Sequence, residues 1–304
     1  ARALDAAQHA AAGPPLDLGL GASRSRSISS VSGRPYLSTA AQPQFQAAYE
    51  VDLWGRLGAL SRATDAQLQA SEAARDSARL SVAATTASAY ITLRALDARL
   101  EVAQHTLASR EAALRLARSR QQRGYSSALE TQQSEAEARA TAQAVPQLAL
   151  AIRRQEHVLN LLMGEAPTTV PRGLPLQALQ LPPLPGTGLP SELLRRRPDL
   201  AGAEAQVAAS DAQLAAARAQ LLPSLRLSAS LGVIGSTALR GDPFTLWSLG
   251  GSVLAPLFDG GRLRAQVQAS DARRVQALVA YEKAVLTAFG EVEDQLATLD
   301  GLAQ

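Results

Sequence analysis

Two copies of one strand-to-helix junction constrain the fold of this chain more than any other feature. Gly55-Arg56-Leu57 recurs as Gly261-Arg262-Leu263, each time after a strand-like run and before a long helix rich in Ala, Arg and Gln. This spacing predicts a tandem repeat of one strand-to-helix unit, with an offset of about 206 residues. The residues assigned to the two junctions are Trp54, Gly55, Arg56, Gly260, Gly261 and Arg262.

Polar and apolar residues alternate before each junction, as in a strand with one apolar face. Leu16, Leu18 and Leu20 share one face of the first such run, and Phe45 and Tyr49 share one face of the second. Glu50 and Asp52 lie on the opposite, polar face. The alternation predicts strands over residues 15–23, 43–54, 224–233 and 247–257.

An unusually long helix should follow the first junction. No proline or glycine occurs between Gly58 and Gly124, which predicts one helix of about 65 residues. Leu93, Leu100, Leu107 and Leu114 form a seven-residue repeat, which indicates a supercoiled seam with another helix. A returning helix is predicted up to Met163, with Gly164 as its C-cap and a kink at Pro146, so that residues 58–163 form a helical hairpin.

Composition excludes several classes of function. Aromatic residues make up 4% of the chain and its apolar share is mostly Ala and Leu, which predicts long helices packed along narrow seams instead of a thick core. The net charge is +3, with Arg interleaved among acidic residues, so no nucleic-acid footprint is expected. The absence of cysteine excludes thiolate chemistry, and no run is long and apolar enough for a membrane-spanning helix. His9, His105 and His157 are scattered, and we interpret them as solvated or seam residues. We predict no catalytic residues, no cofactor and no metal.

Three regions follow from the repeat. Residues 1–164 are the first repeat, beginning with the end of a helix; residues 165–198 are a connector, with a short helix around Ser191 to Arg196; residues 199–304 are the second repeat. We predict helices over residues 199–221, with Asp199 as its N-cap, and over residues 262–304. The same offset would carry the last helix beyond the end of the sequence, which predicts a chain truncated at both ends.

Six phrases, in this order and at these separations, resemble the outer-membrane efflux protein family, of the TolC and OprM type and in particular its NodT-like lipoprotein branch. The resemblance covers essentially the whole chain. The phrases are YEVDLWGRL (49–57), LNLLMGEAP (159–167), LPSELLRRRPDL (189–200), ARAQLLPSLRLSASLG (217–232), LFDGGRLRAQV (257–267) and AFGEVEDQL (288–296).

The resemblance implies an α+β membrane protein of the outer membrane of a Gram-negative bacterium. Long α-helical hairpins would form a periplasmic tunnel, and each protomer of a homotrimer would give four strands to one 12-stranded β-barrel. Two strand pairs cannot close a barrel alone, since hydrocarbon cannot satisfy their open edges. Glu50 and Asp52 would then face the lumen. The hairpin tip would contact the periplasmic adaptor through Arg123, Gly124, Tyr125, Ser126, Ser127, Ala128 and Leu129.

The function implied is the exit duct of a tripartite efflux system that exports drugs or metal ions passively. Its partners would be the adaptor, an inner-membrane pump of the proton-driven RND type, and outer-membrane lipid, with no nucleic acid. The resemblance also implies a structural role for the signature Arg195, Arg196, Arg197, Pro198 and Asp199, with the arginines paired to carboxylates. Two alternatives stay open: the outer-membrane duct of type I protein secretion, and a soluble coiled-coil scaffold.

Overall fold

A computed structural model describes residues 2–11, 13–28, 33–179, 196–237 and 243–303. The short helix expected around Ser191 to Arg196 lies almost wholly outside the described residues. Contacts divide the chain into two compact units, Ala1–Asp76 with Gly188–Gln304, and Ser77–Thr187. The elements are α1 (Arg2–Ala11), β1 (Leu16–Ile28), β2 (Pro35–Val51), α2 (Arg56–Gln122), α3 (Ala128–Met163), a 3₁₀ turn (Leu176–Ala178), α4 (Pro198–Ala219), β3 (Ser224–Ser236), β4 (Phe244–Leu254) and α5 (Arg262–Ala303).

The first unit contains one four-stranded antiparallel sheet in the order β1-β2-β3-β4. The two repeats meet at its centre, because β2 of the first repeat pairs with β3 of the second. Within the described residues, β1 and β4 each pair with a single strand, so the sheet has two open edges. A sheet with two open edges leaves rows of backbone hydrogen-bonding groups for a further strand.

The observed strands differ in their ends from those predicted. β1 continues to Ile28 and β2 begins at Pro35, because their ladder pairs Ile28 with Pro35 and extends through a Ser and Arg-rich stretch without apolar alternation. β3 likewise continues to Ser236. β4 lies earlier than predicted, from Phe244 to Leu254, and ends before Pro256, which cannot donate to a ladder.

The strand register confirms the predicted alternation in the central rows of the sheet, whereas Ile234, Phe244 and Leu246, toward the end away from the helices, lie on the otherwise polar face. Directly paired residues place their side chains on the same face. One row of pairs joins Leu18, Phe45, Leu231 and Trp247 across all four strands, and each of these side chains is exposed in the single chain. On the other face, a row of pairs joins Asp17, Gln46, Ser230 and Ser248. The sheet therefore has one apolar and one polar face, although it covers no core of its own.

Small residues form the buried contacts of the helices in the first unit. Ala59, Ala63 and Ala66 of α2 are buried, as are Ala209 and Leu214 of α4. A Cβ added at Gly202 would lie 3.4 Å from the Cβ of Ala73, which indicates a close approach of α4 to the first part of α2. The Ala and Leu-rich composition thus builds narrow seams instead of a thick core, as predicted.

The predicted capping role of Asp199 is wrong. Helix α4 begins at Pro198, and its N-cap is Arg197, whose side chain makes no capping hydrogen bond. Asp199 instead lies in the first turn and accepts two hydrogen bonds from the Arg197 guanidinium, at 2.8 and 3.1 Å. Arg197 also contacts Glu291 at 2.7 Å, so its predicted pairing with carboxylates is confirmed. Proline suits the first helical position because no intrahelical partner exists there for a backbone N–H, and this places Asp199 inside the helix.

The second unit is built on the predicted helical hairpin. Its core consists of Ala89, Leu93, Ile152, Leu159 and Val170. Helix α2 is unbroken between its ends, and its heptad positions are buried at Leu93 and half-buried at Leu100, Leu107 and Leu114. Helix α3 runs through Pro146 and ends at Gly164, which has a φ of 74° and so provides the predicted left-handed cap.

A strap of residues 165–174 crosses the hairpin and is held by polar contacts. Arg172 pairs with Asp97 of α2 and with the buried Glu156 of α3. The Tyr90 hydroxyl accepts the backbone N–H of Gly173 at 2.9 Å. These contacts attach the strap to both helices, so residues distant in sequence stabilise the hairpin.

Candidate functional site

At the first junction, the carboxylate of Asp52 caps the N-terminus of the long helix α2. After β2 ends, Asp52 accepts the backbone N–H of Leu57 through Oδ1 at 3.1 Å and that of Gly58 through Oδ2 at 2.8 Å. Gly55 has a φ of 71°, and its carbonyl accepts the N–H of Ala59 at 2.8 Å. The first N–H groups of a helix lack intrahelical partners, so Asp52 satisfies two of them and its charge suits the helix N-terminus.

At the second junction an aspartate also caps the helix that follows, although it does not occupy the position equivalent to Asp52 in the repeat. Asp259 accepts the N–H of Leu263 at 2.8 Å and that of Gly261 at 3.0 Å. These backbone hydrogen bonds, with that from Leu263 the largest, hold the pKa of the Asp259 carboxyl below its usual range. Leu57 and Leu263 are equivalent in the repeat, whereas Asp52 lies three residues before Gly55 and Asp259 two residues before the equivalent Gly261.

The first junction contacts the start of β3 in the second repeat directly. The indole N–H of Trp54 donates to the carbonyl oxygen of Pro223 at 2.7 Å. Arg56 pairs with Glu50 at 2.8 Å, and Arg226 of β3 lies 3.9 Å from the other oxygen of Glu50. The junction residues are therefore held by both repeats.

A cleft of about 400 Å³ lies where the junctions meet. Of the residues predicted from sequence, it is lined by Glu50, Asp52, Trp54, Arg56 and Arg262. Glu50 is engaged by two guanidinium groups and Asp52 by backbone N–H groups, so both carboxylates have structural partners. That they face a lumen stays a prediction. Gly260 and Gly261, with φ values of 65° and 88°, form the turn before α5.

The hairpin tip is a closed turn that presents two exposed large hydrophobic side chains, Tyr125 and Leu129. Gly124 has a φ of 77°, and the N–H groups of Gly124 and Tyr125 donate to the carbonyls of Gln121 and Arg120, which is the pattern of a Schellman motif. Ser127 caps α3 by accepting the N–H of Glu130 at 3.3 Å.

Both ends of the turn are thus fixed by hydrogen bonds from its own residues. The Tyr125 side chain is 81% exposed and that of Leu129 is 67% exposed. Ala128 and Leu129 belong to the first turn of α3, while residues 123–127 form the loop. Two large exposed side chains on a fixed turn are suited to contact with another protein.

One histidine has partners that the sequence analysis missed. His9 of α1 lies 3.0 Å from Asp65 of α2 and 3.6 Å from Asp5, one helical turn before it. The hydrogen bond with Asp65, together with the negative charges of both aspartates, raises the pKa of His9, and the pKa of Asp65 is lowered in turn. A hydrogen bond between the His9 imidazole and Asp65, with Asp5 one helical turn away, accounts for this geometry without a metal ion.

Some of these contacts left a signal in the sequence and others did not. The spacing of Asp5 and His9 is that of helical neighbours, and Asp259 precedes a helix as N-cap residues do. No local pattern points to Asp65 as a partner of His9, or to Pro223 as the acceptor for Trp54, because each partner is set by packing.

Among the helices of the described residues, none has an apolar stretch of the length needed to span a membrane.

Comparison with known proteins identifies a family. The family model described as Outer membrane efflux protein matches residues 1–165 and 189–304. The chain is 37% identical to the pyoverdine export outer membrane protein OpmQ of Pseudomonas aeruginosa, over 95% of this chain and 62% of that protein. It is 34% identical to the toluene efflux pump outer membrane protein TtgI of Pseudomonas putida, over 97% of this chain and 64% of that protein. The chain thus spans less than two thirds of these relatives.

Solved structures agree in fold. A membrane protein from Pseudomonas aeruginosa superposes with a TM-score of 0.92 at 32% identity, covering 99% of this chain and 72% of that one. The outer-membrane channel OprN superposes with a TM-score of 0.82 at 30% identity, covering 98% of this chain and 70% of that one. The fold of the described residues is therefore that of an outer-membrane channel protomer.

Proposed function

This chain belongs to the outer membrane efflux protein family, and we propose on that premise that the full-length protein is the outer-membrane exit duct of a tripartite efflux system. The observation that carries the proposal is the four-stranded sheet, which is apolar on one face, polar on the other and open at both edges. Such a sheet fits hydrocarbon on one side and water on the other. The soluble scaffold alternative loses its support, because the relatives named above are outer membrane proteins.

Oligomerisation follows from the sheet on physical grounds, and membership of the family favours a homotrimer. Unpaired strand edges cannot lie in hydrocarbon, since each unsatisfied backbone group there costs several kcal/mol. Four strands are too few to close a barrel, so β1 of one protomer would pair with β4 of the next, and three protomers would give twelve strands. Glu50 and Asp52 would then lie at the lumenal side of the junction between barrel and helices.

The partners proposed are a periplasmic adaptor and an inner-membrane pump of the proton-driven RND type. The adaptor would dock on the hairpin tip at residues 123–129, where Tyr125 and Leu129 are exposed. The pump would supply the energy, and the duct would conduct cargo passively. OpmQ is named for export of pyoverdine and TtgI for efflux of toluene, which favours small organic molecules as cargo over metal ions.

Two experiments test this function. The full-length protein should fractionate with the outer membrane, run as a trimer after cross-linking, and give discrete conductance steps in a planar bilayer. A monomeric or non-conducting protein would contradict the duct. Deletion of the gene should then lower tolerance to toluene-like solvents and other small organic molecules while secretion of protein substrates stays unchanged, and the reverse outcome would establish the type I secretion alternative.

A further inference from the structure

The β1–β2 hairpin carries positive charge that no nearby acid in the sequence balances. Between Asp17 and Glu50 the chain has no Asp or Glu, yet it has three arginines, Arg24, Arg26 and Arg34. Arg24 and Arg26 are exposed, and neither forms an ion pair with any residue that the structure describes.

The two arginines lie on the apolar face of the sheet. Residues two apart in a strand share a face, so Arg24 and Arg26 continue the row that begins with Leu16, Leu18 and Leu20. The register agrees, since Arg24 is paired with Thr39 and Arg26 with Leu37, on the β2 face that also carries Phe45. The apolar stripe of β1 therefore changes directly into a cationic stripe without leaving that face.

The change occurs where a membrane should end. On the apolar face of β2, residues run without interruption from Val51 to Ala41. At 3.4 Å per residue this stretch is about 34 Å long, or about 26 Å along the membrane normal for a strand tilted by about 40°. The apolar band of an outer-membrane barrel is about 25 Å tall. Thr39, the partner of Arg24, is the next residue on this face, at the end of the sheet away from α2.

We propose that Arg24 and Arg26 form a binding site for the phosphate group of an anionic lipid at the rim of the apolar band farthest from the helices. The inference rests on the proposed function, because it requires the apolar face to lie in a membrane. The Cα atoms of residues two apart in a strand lie about 7 Å from one another, so both guanidinium groups can reach one phosphate, and each can bind two of its oxygens.

A lipid fits this site better than a free phosphate ion. The arginines are continuous with a stripe of leucines that has no other cover among the described residues, so one amphiphile could place its chains on the leucines and its headgroup on the arginines. Near an anionic membrane surface, each arginine contributes about a fivefold gain in affinity. A free phosphate ion would gain nothing from the apolar stripe.

Native mass spectrometry of the full-length protein in a neutral detergent tests this inference. Phosphatidic acid should bind saturably, whereas diacylglycerol, which has the same chains without the phosphate, should bind much more weakly. The double variant R24Q/R26Q should lower the affinity for phosphatidic acid about 25-fold, since each arginine contributes about fivefold. R24K/R26K should restore part of the loss, since the charge is kept and the two-oxygen contact is not. R99Q/R115Q, which removes two exposed arginines of α2, is the charge-matched control and should bind as the wild type does.

Three outcomes would overturn the inference. The double variant could bind phosphatidic acid as tightly as the wild type, diacylglycerol could bind equally well, or inorganic phosphate could compete at the same concentration as the lipid. Bilayer conductance of the same preparations separates this failure from failure of the proposed function. If the wild type conducts while the double variant retains the lipid, only the lipid site is wrong.

Discussion

The indole N–H of Trp54 donates to the main-chain carbonyl of Pro223 at 2.7 Å. Trp54 lies at the end of the first repeat's strand pair, and Pro223 lies immediately before β3 of the second repeat. This bond, together with the β2–β3 ladder, holds the two repeats to one another at the point where strands become helices.

Replacing Trp54 with Phe should therefore destabilise the protein by about 1 kcal/mol, the usual net value of one hydrogen bond. The phenyl ring is smaller than the indole, but Trp54 is 53% exposed, so little packing is lost. The measurement is denaturant unfolding of the full-length protein in detergent. Trp247→Phe, on the apolar face of β4, is the matched control and should have a smaller effect, and equal effects would show that the Pro223 contact contributes nothing.

The two capping aspartates should contribute independently. Asp52→Ala and Asp259→Ala each leave backbone N–H groups of a helix N-terminus without their acceptor, at a cost of about 1 kcal/mol each. Because the caps serve different helices, their costs in a double variant should add to within about 0.5 kcal/mol. Unfolding midpoints of the single and double variants check this, and strong non-additivity would contradict separate caps.

Alanine substitutions of two glycines should act in opposite directions. Gly55 has a φ of 71°, and an added Cβ would meet no atom within 4 Å, so the cost of Gly55→Ala is purely conformational, about 1 kcal/mol. Gly290 lies inside α5 and also has open space around it, so Gly290→Ala should stabilise the helix by up to about 1 kcal/mol. Thermal unfolding of both variants tests the signs, and a stabilised Gly55→Ala would refute the argument.

The contact of His9 with Asp65 predicts a pH dependence of stability. The pKa of His9 is raised in the folded protein, first by its hydrogen bond with Asp65, so the stabilisation is complete below the unfolded value of about 6.5 and is lost as pH rises through the raised folded value. His9→Gln should thus lower the unfolding temperature at about pH 5.5 and have little effect at about pH 9. His105→Gln removes an exposed histidine of α2 and is the control; a deficit of His9→Gln that persists at high pH would exclude the ionic explanation.

The hairpin tip should affect assembly without affecting stability. Tyr125→Ala and Leu129→Ala remove large side chains that are mostly exposed, so each should change the free energy of unfolding by less than about 0.5 kcal/mol. Loss of an interface anchor, by contrast, weakens binding by about 2 kcal/mol or more, which is roughly thirtyfold. Binding of the purified adaptor to the full-length protein measures this. Leu161→Ala, at an equally exposed leucine of α3 outside the tip, should bind normally.

Local patterns in the sequence determined much of the architecture. Alternation predicted both faces of the strands, because side chains of a strand point to opposite sides at every step. The stretch without Gly or Pro predicted α2, the heptads predicted its buried seam at Leu93, and Gly164 predicted the end of α3. The repeat of Gly55 and Gly261 matched two left-handed turns, since only glycine adopts that conformation without strain.

Only the tertiary structure decided which groups meet across the chain. Asp199 was predicted to cap α4, but it lies in the first turn of that helix and pairs with Arg197. Asp52 caps α2 because the turn at Gly55 brings its carboxylate to the N–H groups of Leu57 and Gly58. The pairing of β2 with β3, the bond from Trp54 to Pro223 and the contact of His9 with Asp65 join residues far apart in sequence. Periodicity reports the environment of a side chain along its own element. The partner of that side chain depends on how separate elements pack, which no local pattern records.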